Sequence, residues 1–131
     1  LVLMALPLNA KVEAAPNFLA NLDAAHQFFQ VQDADSANAR FDRLKTDLRE
    51  MIAILAWSPA SGRPARFQSA KSAQATLKTN AVKQLAEQAG LPHLREYVVG
   101  QQFIVLYAHS ESDVVLLAIK HQRQLMYSAD S

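Results

Sequence analysis

The sequence contains no cysteine, which excludes disulfides and thiolate-bound metal and fits a reducing compartment. It has only three glycines, too few for a glycine-rich loop that cradles phosphate with backbone N–H groups. The GxxxxGK[ST], GxGxxG and HExxH patterns are all missing, so phosphate-loop, dinucleotide and zinc-protease chemistry have no support and no cofactor is expected. Neither a GxSxG elbow nor a thiol offers a nucleophile. No apolar run approaches the roughly 18 residues of a membrane span, and a cytoplasmic location is expected. Leu1–Ala10 is apolar but short for a signal peptide and carries no basic leader. Met4 is a candidate start, with Leu1 to Leu3 preceding it.

The 131 residues suffice for one domain with a core that needs no staples. Net charge is +1, but the distribution is uneven. Residues 1–60 and 96–131 each carry a small acidic excess. Residues 61–95 hold Arg63, Arg66, Lys71, Lys78, Lys83 and Arg95 against Glu87 alone. Such a basic middle suits nucleic acid or an acidic partner, and equally a solvated helix face.

Periodicity divides the chain. Ala10–Ala14 alternates apolar and polar residues, as a half-buried strand does. Pro16 suits a first helical turn, and Phe18, Leu22, Ala25 and Phe29 follow at helical spacing, with His26 beside them as a packing residue. Asp33-Ala34-Asp35-Ser36 breaks this helix and caps the next. Ala37, Phe41, Leu44, Leu48, Met51, Ile52 and Leu55 then form the clearest apolar stripe in the sequence. A short polar turn between two such helices predicts an antiparallel hairpin. Ser58-Pro59-Ala60-Ser61-Gly62-Arg63-Pro64 ends it and reads as a loop.

Residues 69–89 read as a third helix with a thin stripe (Ala73, Leu77, Ala81, Leu85), suited to the surface or to covering a sheet edge, and Gly90 and Pro92 stop it. Three β-branched or aromatic runs follow: Leu94–Val99, Phe103–His109 and Val114–Lys120. Gly100-Gln101 and Ser110–Asp113 separate them, which predicts a three-stranded antiparallel meander. The whole is an α+β domain in one unit: strand, helical hairpin, additional helix, meander.

Two stretches carry a resemblance. Leu94-Arg95-Glu96-Tyr97-Val98-Val99-Gly100, Phe103-Ile104-Val105-Leu106-Tyr107 and Val114–Gln124 resemble the C-terminal half of RelE/ParE superfamily toxins. The hairpin closing on Trp57-Ser58-Pro59 and Gly62-Arg63-Pro64 is similar to the ParE-like branch. Residues 66–90 fall outside the resemblance and look like a one-helix insertion. The resemblance implies a toxin of a type II toxin–antitoxin, or plasmid stabilisation, module, with a curved antiparallel sheet, neutralised by a cognate antitoxin. Relatives either poison DNA gyrase or cut messenger RNA on the ribosome; a third possibility is an inactive member that only binds its partner.

The ribonuclease reading needs groups that move protons and stabilise phosphate charge. Counting back from Tyr107, Ile104 occupies a position where such relatives often carry arginine, and isoleucine cannot stabilise that charge. His121, Arg123 and Tyr127 after the last strand are the candidates for that chemistry: acid or base, phosphate grip, and stacking or orientation. Capping of the sheet end and core packing explain the same residues without chemistry. Arg63, Arg66, Arg95, His121 and Arg123 are the candidates for binding a target or antitoxin. Arg95 is also explained by an ion pair with neighbouring Glu96. His93 and His109 stand alone in sequence, which makes a metal site improbable. A homo-oligomer is compatible with the sequence, but no residue marks one.

Overall fold

The computed structural model describes residues 9–65, 73–123 and 127. Five strands and three α-helices follow the chain as β1 (Lys11–Ala14), α1 (Pro16–Gln32), α2 (Ala34–Trp57), a 3₁₀ turn (Pro59–Ser61), β2 (Arg63–Pro64), α3 (Ala73–Ala89), β3 (His93–Val99), β4 (Phe103–His109) and β5 (Asp113–His121).

One residue makes the hairpin tight. The Asp33 N–H donates to Phe29 O and closes α1, while its carboxylate accepts from the Asp35 N–H and from the Ser36 hydroxyl to open α2. That side chain satisfies donors at the α2 N-terminus that no helical carbonyl reaches. Across the hairpin His26 stacks on Phe41 with ring centroids 4.1 Å apart, and the Arg40 guanidinium lies over the Phe29 ring. The α2 stripe is buried at Ala37, Leu44, Leu48, Met51 and Leu55, with Phe41 and Ile52 packed at its margin.

The sheet runs β1-β5-β4-β3-β2. The meander is antiparallel as predicted, whereas β1 joins the edge of β5 in parallel, so the sheet is mixed. A parallel neighbour needs a long crossover, and the helices and strands between β1 and β5 supply it. The segment read as a loop contains β2, which pairs Arg63 with Glu96 and Pro64 with Arg95. Proline is tolerated there because β2 is an edge strand.

Both faces are covered, which is why every residue of β4 is buried. One face packs Val99, Phe103, Val105, Tyr107, Val114, Leu116 and Ile119 under the hairpin. The other gathers Ile104, Leu106, Ala108, Leu117 and Ala118 with Tyr127, and α3 lays Leu85, Ala86 and Ala89 against it. The third helix thus covers a face of the sheet rather than an edge; residues 69–72 of its predicted span lie outside the described residues. An irregularity shifts the register so that Leu106 faces Ala118 but Tyr107 faces Leu116. The extra residue turns Leu117 and Ala118 to the same face, so the apolar run of β5 fills both cores.

Candidate functional site

The predicted site residues fall into three places. The first is the end of the sheet beside the hairpin. His121 closes β5 with its ring edge-on to Phe103, centroids 5.3 Å apart, and its Nδ1 accepts the Arg123 N–H at 3.1 Å. Both residues line a cleft of about 850 Å³ between α1, the start of α2, the β3–β4 turn and the end of β5. Phe28, Phe29, Phe103 and Ile119 supply apolar lining, while Gln32, Gln101, Gln102 and Gln122 supply amides. Arg40, Lys120 and Arg123 bring charge, and among the described residues no aspartate or glutamate lines the cleft.

The second place is the opposite face, where Glu96 is 3% exposed. The Tyr127 hydroxyl donates to its Oε2, and Arg63 Nε lies 3.5 Å from Oε1. The Lys120 ammonium stands 5.0 Å from the centre of the Tyr127 ring. Burial, followed by the bond to Glu96, drives the Tyr127 hydroxyl far above the usual phenol range. Burial also pushes Lys120 below the usual lysine range, against the opposing pull of the Glu96 charge. Tyr127 is therefore a neutral donor that holds a carboxylate in an apolar setting.

The third is the other end of the hairpin-covered face. Arg95 does not pair with Glu96, because neighbouring strand residues point to opposite faces. Its Nε donates to His109 Nε2 at 3.1 Å and its Nη1 to Gly62 O at 3.0 Å. Nε2 of His109 is thus an acceptor, and Nδ1 carries the proton toward Ser110 O, 3.0 Å away. Burial lowers the His109 pKa, with His93 and Arg95 adding to the effect and the Ser110 carbonyl opposing it. The two histidines that stand alone in sequence are register partners here, stacked 4.9 Å apart. Among the described residues no group of three or more His, Cys, Asp or Glu could hold a metal.

The structure therefore brings His121 and Arg123 together, sets Tyr127 and Arg63 on the opposite face, and places Arg95 in a brace to the loop after α2. Arg66 lies outside the described residues. Ile104 is a buried core residue on the Tyr127 face. Sequence reasoning missed Arg40, Phe28 and the glutamines of the cleft, since Arg40 reads as ordinary decoration of α2. Only the left-handed turn at Gly100-Gln101 left a local signal, a tight hairpin whose second residue is not glycine.

No family model matches the chain, and no curated protein matches it in sequence. Among the described residues no helix is long and apolar enough to cross a membrane.

Proposed function

We propose that this domain is the toxin half of a type II toxin–antitoxin pair of ParE-like character, acting in the cytoplasm by binding DNA gyrase rather than by cutting RNA. The resemblance in the meander and in the Pro59…Gly62-Arg63-Pro64 segment motivates the toxin reading. The order strand, helical hairpin, sheet is consistent with it.

One observation favours binding over RNA cleavage. A ribonuclease built from His121, Arg123 and Tyr127 needs all three around one phosphate. His121 lies against Phe103 on the hairpin-covered face, whereas the Tyr127 hydroxyl is committed to Glu96 beneath the other. A toxin that works by occupying a surface needs no such convergence. Its contacts would come from Arg63, Arg95, His121 and Arg123, and a cognate antitoxin would mask them.

Labelled-precursor incorporation after induced expression in a bacterial host tests the proposal. DNA synthesis falling before protein synthesis supports gyrase as the target. Protein synthesis falling first, with loss of that effect in His121→Ala and Arg123→Ala, replaces it with the ribonuclease. Normal synthesis of both while soluble protein accumulates removes the toxin reading and leaves an inactive binding partner.

A further inference from the structure

The cleft beside His121 joins Arg123 to Arg40, Phe28 and Gln101, side chains that neither reading of the target uses. Its volume of about 850 Å³ lies within the range of small-molecule sites, roughly 300–1,000 Å³. Among the described residues, cations without acids, amides and an accessible aromatic ring line it together. Phe28 is 54% exposed although it is a large apolar side chain on a helix that has a core to face. Arg40 is held in place over Phe29 and by a 3.0 Å bond to Gln32 Oε1, which leaves further guanidinium donors on the same rigid fork. Asp47 reaches the β3–β4 turn at Gly100, but it is not part of the lining.

The turn supplies an independent observation. Gly100 and Gln101 have φ of 58° and 63°, and the Gln102 N–H donates to Val99 O at 3.2 Å, the pattern of a two-residue hairpin loop with both central residues left-handed. Glycine or asparagine is the low-cost occupant of the second position. Glutamine there is the only non-glycine residue with positive φ among the described residues, and it lines the cleft. Strain of this kind clusters at ligand sites, and what this side chain adds to the cleft is an amide.

We infer that the cleft is a binding site for a purine mononucleotide, with Phe28 stacking on the base, Gln101 pairing with its edge, and Arg40 and Arg123 holding the phosphate. A glutamine amide matches the adjacent donor and acceptor of adenine N6 and N7, a ring face accepts a stacked base, and the arginine fork matches phosphate oxygens. The site adjoins the Glu96–Tyr127 cluster at Lys120, and it does not depend on whether the domain acts on gyrase.

Calorimetric titration of the full chain with AMP tests the inference, with adenosine, inorganic phosphate and a short oligoadenylate as comparison probes. AMP is expected to bind saturably with a dissociation constant below about 1 mM, and adenosine and phosphate at least about tenfold more weakly. Arg123→Gln should weaken AMP by about tenfold or more. Gln101→Gly is the decisive variant. It relieves the backbone, so the melting temperature rises, yet it should weaken AMP about fivefold. A purely structural turn residue would give the first effect without the second. Absence of AMP binding, unchanged AMP affinity in Gln101→Gly, or phosphate alone binding as tightly as AMP would each overturn the inference. Oligoadenylate binding far more tightly than AMP would replace the mononucleotide with a nucleic-acid strand.

Discussion

Arg95 and His109 share a single hydrogen bond across β3 and β4, Nε to Nε2 at 3.1 Å, and that bond fixes the protonation state of the imidazole. A guanidinium only donates, so Nε2 must accept and the ring must be neutral. Through its other end Arg95 reaches Gly62 O at 3.0 Å. Gly62 N in turn donates to the Tyr107 hydroxyl at 2.9 Å, and that hydroxyl donates to Pro59 O at 2.7 Å. The loop after α2 is therefore held to the sheet by a chain of bonds whose first link is a titratable base.

Acid should loosen this link. The His109 pKa in the folded protein lies below its ordinary value of 6.5, so the unfolded chain binds the proton more readily. The stabilising contribution is complete above about pH 7 and is lost as pH falls through 6.5 toward the folded value. His109→Gln removes the titration. The gap in melting temperature between wild type and variant should be constant at alkaline pH and should change progressively below about pH 6.5. Parallel acid profiles of the two proteins would show that His109 is not the source.

Gly62 is predicted to tolerate no side chain. A Cβ there would sit 2.5 Å from the Glu96 carbonyl oxygen and 2.6 Å from the Tyr107 hydroxyl, and the first of these is backbone that cannot move aside. Gly62→Ala should cost about 2 kcal/mol in denaturant unfolding with an unchanged slope. Tyr107→Phe in the same background removes the hydroxyl clash but leaves the ring carbon 2.9 Å away, so the double variant should lose less than the sum of the single losses.

Much of this architecture can be read in the residues themselves. The α2 stripe, Pro16 at the start of α1, Asp33 between the helices and the three strand runs all act through neighbours a few positions away. What escaped were relationships set by pairing. Two residues of β2 are too few to show a period, and they form a strand only because β3 offers an edge. The shifted register opposite Tyr107 cannot be seen in a run that is apolar throughout. Arg95 and Glu96 look like partners along the chain until the pleat sends them to opposite faces. The cleft joins Arg40 to Arg123 across the sheet end, and no spacing rule relates residues so far apart.

Tyr127 is predicted to act on stability and not on any reaction. Tyr127→Phe removes the hydroxyl that donates to Glu96 and leaves that carboxylate one donor short in a buried site. The loss should be about 1–3 kcal/mol. Under the toxin function proposed above, growth inhibition by the variant, measured at a temperature where it remains folded, should match wild type. Full loss of inhibition with unaltered thermal stability would assign the hydroxyl a chemical role instead.

The Glu96 cluster also predicts that a second substitution rescues the first. Glu96 is 3% exposed and Lys120 is 8% exposed, and the Glu96 charge is what resists the lowering of the Lys120 pKa by burial. Glu96→Gln withdraws that support, so the lysine should be driven further toward its neutral form, and stability should fall by about 3 kcal/mol. Replacing both residues, Glu96→Gln with Lys120→Met, removes the stranded cation along with its partner. Replacing buried charges together is often neutral or stabilising because desolvation opposes them, so the double variant should recover most of the loss. Urea unfolding of the four proteins in a double-mutant cycle measures the coupling. Additive losses would mean that the lysine and the glutamate stabilise the fold independently. Arg63, with its Nε 3.5 Å from Glu96 and its side chain 45% exposed, would then be the charge that matters to the carboxylate.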